Sequence, residues 1–339
     1  MARVLYTLLA LFLLFLFWLF RPGLTPPDVS VPEELPELTF QVDQVDREIQ
    51  RREERAGRLR PGNEARVVWY EPLRGQTAQC AVLYIHGFTA SYMEGYPLHE
   101  QTAEALGCHL YVARLHGHGM DTDAPLADMQ PDSLLADAVH ALAVANLLGE
   151  EVAVIGTSMG GMIALHLASR HPESADALVL LSPLIEFAGW SSFLFDKPWG
   201  QRIMKLILGG SYIESVPESD EHEMYWYTRY RKEALMALKT MRNSLLTEDV
   251  YGHITQPVFA GYYYRDEDHQ DDVVSVSAIR GIEEKLGTPP EHRRFVAFPD
   301  ADSHVLSSKY RTDSYGAVTD SVVGFLKQYI GHRADDQMP

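Results

Sequence analysis

The chain has 339 residues, which is enough for one large α/β domain or two smaller ones. Lys and Arg number 29 and Asp and Glu number 47, so the formal net charge is −18 at pH 7. A chain this acidic lacks the basic surface that nucleic-acid-binding proteins use. Its folded part would also be repelled by anionic lipid headgroups. We therefore expect no nucleic-acid partner.

An almost unbroken apolar run, VLYTLLALFLLFLFWLF, covers residues 4–20. As a helix rising 1.5 Å per residue it would be about 25 Å long, slightly short of a ~30 Å hydrocarbon core. Arg3 and Arg21 flank the run and can extend to the two interfaces. A cleaved signal peptide is the alternative, but the bulky residues 18–20 leave no small-residue cleavage site. The sequence predicts a single-pass N-terminal membrane anchor over residues 1–21.

The flanks of this segment bear on its orientation. The two flanks contain nearly equal numbers of Lys and Arg residues, so the positive-inside rule does not determine the orientation. The downstream flank is acidic, which favours a folded domain outside the cytoplasm. Five prolines stand among acidic residues over 22–40, and this composition predicts a semi-stiff linker.

Beyond a solvent-facing helix at 41–56, short apolar runs alternate with helical patterns. Strands are predicted over 65–70, 81–85, 110–113, 152–155, 177–181, 257–264 and 293–298. Helices are predicted over 132–148, 161–168, 275–286 and 313–329. This alternation indicates an α/β fold with a mostly parallel, doubly wound sheet. The core is expected to occupy 41–183 and 257–332.

Residues 184–256 break the alternation. Aromatic residues cluster there, among them Phe187, Trp190, Trp199 and Trp226, and no strand-like run separates them. The pattern predicts a helical cap inserted into the sheet topology. Its aromatic side chains would either pack on the core or line an apolar pocket.

Cys80 and Cys108 are the two cysteines of the chain. Their spacing does not match a zinc site, and we expect no metal. Each stands at the start of a predicted strand, so a disulfide would be feasible in an oxidising compartment. We favour two buried free thiols.

One pentapeptide, Gly156-Thr157-Ser158-Met159-Gly160, lies between a predicted strand and a predicted helix. In that context Gly-x-Ser-x-Gly is typical of a nucleophile elbow, a strained turn that presents the serine hydroxyl. The flanking glycines keep Cβ atoms away from the point where strand and helix come closest. The alternative is an ordinary glycine-rich turn with a surface serine. We favour Ser158 as a nucleophile.

A serine nucleophile needs a base, and the base needs a carboxylate. His304 is the best candidate base, because it follows the last predicted strand at the same sheet edge as Ser158. The carboxylate is expected in the acidic loop 266–272, where we favour Asp271. The alternatives in this loop are Asp272 and Asp268.

An oxyanion hole needs two backbone N–H groups that face the developing negative charge. One is expected from Met159, directly after the nucleophile. The other is expected from Phe88, in the loop that begins with His86-Gly87. His86 is interpreted as a brace for this loop.

The order of these motifs resembles that of the α/β-hydrolase fold. His86-Gly87, the segment RLHGHG at 114–119, the serine motif, an acid near 271 and Ser303-His304 occur in that order. The chain is similar, over about 64–330, to the capped group of monoacylglycerol lipases, lysophospholipases and small carboxylesterases. This resemblance implies a serine nucleophile, an acyl-enzyme intermediate and no metal or organic cofactor. It also implies a structural role for His118, whereas the acidic loop is longer than in relatives.

These features predict a membrane-anchored serine hydrolase that cleaves a carboxylic ester, such as a lipid or monoacylglycerol ester. Three alternatives use the same fold. An acyltransferase would pass the acyl group to an acceptor other than water. An aminopeptidase would hold a substrate amine with acidic cap residues such as Glu214, Glu218 and Glu221. A non-catalytic binding protein would not use the serine at all.

Overall fold

A computed structural model of the chain describes residues 2–20, 29–30, 32–189 and 211–331. Parts of the predicted linker and cap, Trp190 and Trp199 among them, lie outside these ranges. The helices are α1 (Ala2–Phe20), α2 (Val45–Ala56), α3 (Leu98–Leu106), α4 (Pro131–Leu148), α5 (Met159–Arg170), α6 (Asp220–Tyr225), α7 (Lys232–Leu245), α8 (Glu248–Gly252), α9 (Val276–Gly281) and α10 (Tyr315–Leu326). The strands are β1 (Arg66–Val68), β2 (Ala78–Ile85), β3 (His109–Val112), β4 (Gly149–Thr157), β5 (Ala177–Leu181), β6 (Tyr212–Glu214), β7 (Arg229–Arg231), β8 (Val258–Tyr262) and β9 (Arg293–Ala297).

One seven-stranded sheet forms the centre of the fold, in the order β1-β3-β2-β4-β5-β8-β9. Every neighbouring pair is parallel except β1 with β3, which is antiparallel. The predicted mostly parallel sheet is therefore confirmed. Strands β4 and β5 are almost completely buried because helices cover both faces, which explains the apolar runs at 152–155 and 177–181.

Two buried clusters lie on opposite faces of this sheet. One contains side chains of α4 and α5, such as Leu142 and Ile163, and the other contains side chains of α3 and α10, such as Leu98 and Phe325. Helix α3 was not predicted from the sequence. The three layers place the carboxyl ends of the parallel strands at one edge, where the connecting loops meet.

The segment predicted as a purely helical cap also contains a small sheet. Strands β6 and β7 pair antiparallel, with Ile213 opposite Tyr230. Helices α6, α7 and α8 account for much of the rest of its described part. The strand pair was missed because three-residue strands are too short to display a period of two.

Cys80 and Cys108 form a disulfide, so the preference for free thiols was wrong. The physical reason is the register of two neighbouring parallel strands. Ala81 of β2 lies opposite His109 of β3, so the residues just before them stand side by side. This proximity across the sheet is not visible in the sequence, where the cysteines are 28 residues apart.

Replacing both Cys80 and Cys108 with Ala is expected to lower the free energy of unfolding by about 3–4 kcal/mol. The disulfide closes a loop of 28 residues, and its loss restores the entropy of the unfolded chain. Urea unfolding of the variant, compared with the oxidised wild type, measures this change, and the wild type in reducing agent is the control that should match the variant. An unfolding midpoint equal to that of the oxidised wild type would contradict it.

The predicted N-terminal helix agrees with α1. Within the described residues, no helix combines the length and the apolar character needed to cross a membrane.

Candidate active site

Ser158 occupies a strained turn between β4 and α5. Its φ is 53° and its ψ is −114°, a backbone conformation that non-glycine residues rarely adopt. Its N–H donates to the Leu181 carbonyl at 3.0 Å, and its carbonyl accepts from the N–H groups of Met162 and Leu184 at 3.1 and 3.0 Å. These three bonds hold the turn, and Ser158 retains 8% exposure at the carboxyl edge of the sheet.

The glycines of the motif permit a close approach of the backbone. A Cβ at position 160 would overlap the Ile85 carbonyl and lie 2.8 Å from the His86 carbonyl oxygen. A Cβ at position 156 would overlap the Gly160 carbonyl. The first turn of α5 therefore packs directly against the loop that follows β2.

Asp271 and His304 meet at this edge of the sheet. His304 Nδ1 and Asp271 Oδ2 are 2.7 Å apart. The other carboxylate oxygen accepts hydrogen bonds from the N–H groups of Val273 and Val274, at 2.9 and 3.0 Å. Asp271 is buried, whereas the alternatives Asp268 and Asp272 are exposed. Both oxygens of Asp271 are thus engaged, and its orientation toward His304 is fixed.

The two residues shift each other's pKa. Burial raises the pKa of Asp271, but the charge and hydrogen bond of His304, with the two backbone N–H groups, bring it below the ordinary value. Burial lowers the pKa of His304, but the charge and hydrogen bond of Asp271 outweigh burial and leave it raised. An ionised carboxylate therefore faces a histidine that readily accepts a proton.

Two buried histidines brace the loop that contains Phe88. His86 Nε2 accepts from the Leu115 N–H at 3.1 Å, so its Nδ1–H donates to the Gly87 carbonyl at 2.8 Å. His118 Nε2 lies 2.5 Å from the Phe88 carbonyl oxygen. Burial lowers the pKa of His86 well below its usual range and that of His118 to about 4. Both act as neutral structural groups, as expected from the sequence.

The backbone N–H groups of Phe88 and Met159 are available at this edge. Over the described ranges, neither donates a hydrogen bond to another group. Such unpaired donors are what an oxyanion hole requires.

Glu94 is a further residue of the site, and it was not predicted from the sequence. It is buried, and its Oε2 accepts the Gly87 N–H at 2.5 Å. An acid between Tyr92-Met93 and Gly95-Tyr96 is the signal that would have found it, because an acidic residue within an apolar and aromatic segment is often a buried one.

Described parts of the cap contact the Phe88 loop. The Tyr227 N–H donates to the Thr89 carbonyl at 2.9 Å, and the ring of Tyr230 meets that of Phe88 edge-on at 5.2 Å. Of the acids considered for binding an amine, Glu214 pairs with Arg229 and Glu218 with Arg311, both at 2.8 Å. These ion pairs weaken the aminopeptidase alternative, because the two charges are already compensated.

Among the described residues, this site includes neither a metal-binding cluster nor the cavity beside the loop after β3. Within these residues, groups of three or more His, Cys, Asp and Glu side chains arranged to hold a metal are absent. A cavity of about 510 Å³ lies beside the loop after β3, with Arg55 and His116 in its lining, but neither Ser158 nor His304 borders it.

Comparison with known proteins agrees with this geometry. Residues 81–203 match the family model described as alpha/beta hydrolase fold. A thermostable monoacylglycerol lipase from Bacillus sp. (strain H-257) is 31% identical over 106 residues, which cover 30% of this chain and 40% of that protein. A putative 2-succinyl-6-hydroxy-2,4-cyclohexadiene-1-carboxylate synthase from Bacillus subtilis (strain 168) is 35% identical over 108 residues, covering 32% and 38%. These matches span less than half the length of the curated relatives.

Solved structures share the fold over most of the chain. One, from work on the metagenome-derived lipolytic enzymes LipS and LipT, has a TM-score of 0.64 at 18% identity and covers 80% of this chain and 100% of its own. Monoglyceride lipase from Saccharomyces cerevisiae has a TM-score of 0.57 at 15% identity, with coverage of 79% and 91%. The family-model match over residues 81–203 and these solved structures show that the chain has the α/β-hydrolase fold.

Proposed function

We propose that this chain is a serine hydrolase that cleaves carboxylic esters with Ser158, His304 and Asp271. The observation that carries the proposal is the 2.7 Å hydrogen bond between Asp271 and His304, at the same sheet edge as the strained Ser158. A buried carboxylate, a histidine and a serine in this relation are the parts of an acyl-transfer site.

The proposed reaction has two stages. His304 accepts the proton of the Ser158 hydroxyl while Oγ attacks the ester carbonyl carbon, and Asp271 stabilises the resulting imidazolium. The N–H groups of Phe88 and Met159 bind the oxyanion. His304 then protonates the departing alcohol, leaving an acyl-enzyme. Water then attacks the acyl carbon while His304 accepts its proton. Collapse breaks the bond to Oγ, His304 returns the proton to Oγ, and the acid leaves.

We propose a small-molecule or lipid ester as the substrate, such as a monoacylglycerol. The partial likeness to a monoacylglycerol lipase and the aromatic contacts between cap and Phe88 loop support this class. Hydrolysis of p-nitrophenyl esters of graded chain length, measured beside a dipeptide amide, tests it. Faster cleavage of the amide would overturn the esterase assignment. Addition of a competing alcohol distinguishes hydrolysis from acyl transfer, because a transferase would form the new ester.

The pH dependence of kcat/KM is a further prediction. Burial lowers the pKa of His304, but Asp271 more than offsets this, so the pKa lies above the ordinary value of 6.5. Since the reaction needs neutral His304, kcat/KM should fall as the pH drops through that raised pKa. Initial rates between pH 5 and 9 measure this limb. A rate that keeps its full value well below pH 6 would contradict the role of His304.

We also propose that α1 attaches the protein to a membrane, with the catalytic domain outside the cytoplasm. Apart from Thr7, its described side chains are apolar, and nearly all are exposed, including Phe12 at 56% and Phe17 at 74% exposure. Such a surface is unfavourable in water. The disulfide is consistent with an oxidising compartment. Recovery of the full chain in the soluble fraction after cell disruption would overturn the attachment.

A further inference from the structure

Glu94 lies where the parts of the proposed site meet. It is 3% exposed and belongs to the segment between β2 and α3. Its Oε2 accepts hydrogen bonds from the Gly87 N–H at 2.5 Å and from the Tyr84 hydroxyl at 3.2 Å. A Cβ at position 87 would lie 2.7 Å from Glu94 Oε1, so glycine permits this close approach. Gly87 directly precedes Phe88, whose N–H is the proposed oxyanion donor.

The same carboxyl group is linked to the strand that bears the nucleophile. The Tyr84 hydroxyl also lies 2.9 Å from Thr157 Oγ1, and Thr157 directly precedes Ser158. Tyr84 is completely buried, so these bonds are shielded from water. The hydrogen bonds of Glu94 thus connect both sides of the proposed reacting centre.

Glu94 also reaches the cap and the histidine loop. The Trp226 side chain of the cap lies close to the Glu94 carboxyl and opposes the rise in its pKa. Trp226 packs with Ala90 and Val305, the latter directly after His304. The Ser307 hydroxyl donates to the Glu94 main-chain carbonyl at 2.5 Å. Cap, Phe88 loop and histidine loop therefore converge on this residue.

The charge of Glu94 has no cationic partner from Lys or Arg within the described ranges. The titratable groups that face it are Tyr84 and His304, and the neutral His99 packs against the Tyr84 ring. Burial raises the pKa of Glu94 to about 7, against the opposing effects of the Gly87 N–H and of His304. Burying a carboxyl group without a cation costs folding free energy, and an apolar residue at position 94 would make the protein more stable.

We propose that Glu94 is a positioning residue that holds the Phe88 N–H in place, ties its loop to the cap through Trp226, and supports the charged form of His304. This proposal deepens the proposed function and rests on it. Glu94 acts through Gly87, Tyr84 and His304, and it takes no part in bond making.

Two substitutions separate its hydrogen bonds from its charge. In Glu94→Gln the amide oxygen, in the place of Oε2, can still accept both the Gly87 N–H and the Tyr84 hydroxyl. In Glu94→Ala both bonds are lost and the loop is free to shift. A misplacement of about 1 Å costs on the order of 100-fold in rate. We expect Glu94→Ala to lower kcat about 100-fold with little change in KM, and Glu94→Gln to keep kcat within about 10-fold.

The pH profile gives a signature that a merely structural role would not produce. An ionised Glu94 raises the pKa of His304, in addition to the larger effect of Asp271. Removing this charge in Glu94→Gln lowers the pKa of His304. The acid limb of kcat/KM should therefore move to lower pH. Glu151→Gln is the matched control, because Glu151 is also buried and also accepts a backbone N–H, from Gly331, but lies near the start of β4.

Hydrogen exchange of the 86–95 and 220–231 peptides completes the test, because it does not depend on activity. Faster exchange of both peptides in Glu94→Ala, but not in Glu151→Gln, supports the positioning role. This result holds even if the wild type cleaves no ester. Absence of ester cleavage would contradict the proposed function and leave the positioning role standing. Unchanged exchange in Glu94→Ala would overturn the proposal. So would an unmoved acid limb in Glu94→Gln, or a kcat for Glu94→Ala within about 3-fold of wild type.

Discussion

Replacing Ser158 with Ala should lower kcat/KM for ester cleavage about 10⁵-fold or more and abolish labelling by a fluorophosphonate probe. The methyl group offers no oxygen to attack the carbonyl carbon, so the acyl-enzyme cannot form. The substitution removes no hydrogen bond of the turn, because the three bonds of Ser158 use its backbone N–H and carbonyl. The melting temperature should stay close to that of the wild type, so the loss can be assigned to chemistry.

Ser182 provides a matched control in the same molecule. It also has a positive φ, 43°, and it stands at the end of β5, the strand next to β4. Its buried hydroxyl lacks a hydrogen-bond partner within the described ranges. Ser182→Ala removes an unsatisfied polar group and should leave activity and probe labelling intact. If Ser158→Ala is still labelled while Ser182→Ala is not, the nucleophile has been misassigned.

The parts of the fold that the sequence predicted are those specified by local pattern. Apolar runs bounded by glycine and polar residues marked the central strands, and β5 was predicted to the residue, Ala177–Leu181. Because parallel strands in such sheets end at one edge, the chain order alone led to the expectation that His304 and the acidic loop would approach Ser158. The preference for Asp271 within the loop also followed from local sequence, since the pattern Asp-x-Val-Val leads from it into a predicted helix.

The features that were missed depend on contacts between distant segments. The disulfide required the register of β2 with β3, and β6 required its partner β7, which begins 15 residues later. The buried position of Glu94 depends on Trp226 of the cap and on the loop at Ser307, both far away in sequence. Periodicity carries no information about such pairs. The apolar and aromatic neighbours of Glu94 signal that it is buried, but its partners are recognised only once the surrounding elements are assembled.

Asp271→Asn should lower kcat about 10⁴-fold while leaving substrate binding nearly unchanged. The Asn side-chain oxygen can still accept the N–H groups of Val273 and Val274, so the loop should keep its shape. Its amide nitrogen would then face His304 Nδ1 as a donor. His304 would be driven to the tautomer with a proton on Nε2, which cannot accept the proton of Ser158. The imidazolium would also lose the charge that stabilises it.

Asp272→Asn and Asp268→Asn are the matched controls, because both acids belong to the same loop and are exposed. Each should retain kcat within about 3-fold, since the charge of an exposed group is screened by water. Steady-state kinetics on one p-nitrophenyl ester compares all three variants, and thermal unfolding checks that they remain folded. A large loss in Asp272→Asn together with near-normal activity in Asp271→Asn would move the acid of the triad by one residue. The 2.7 Å bond to His304 would then be structural, with Ser158 and His304 still acting as nucleophile and base.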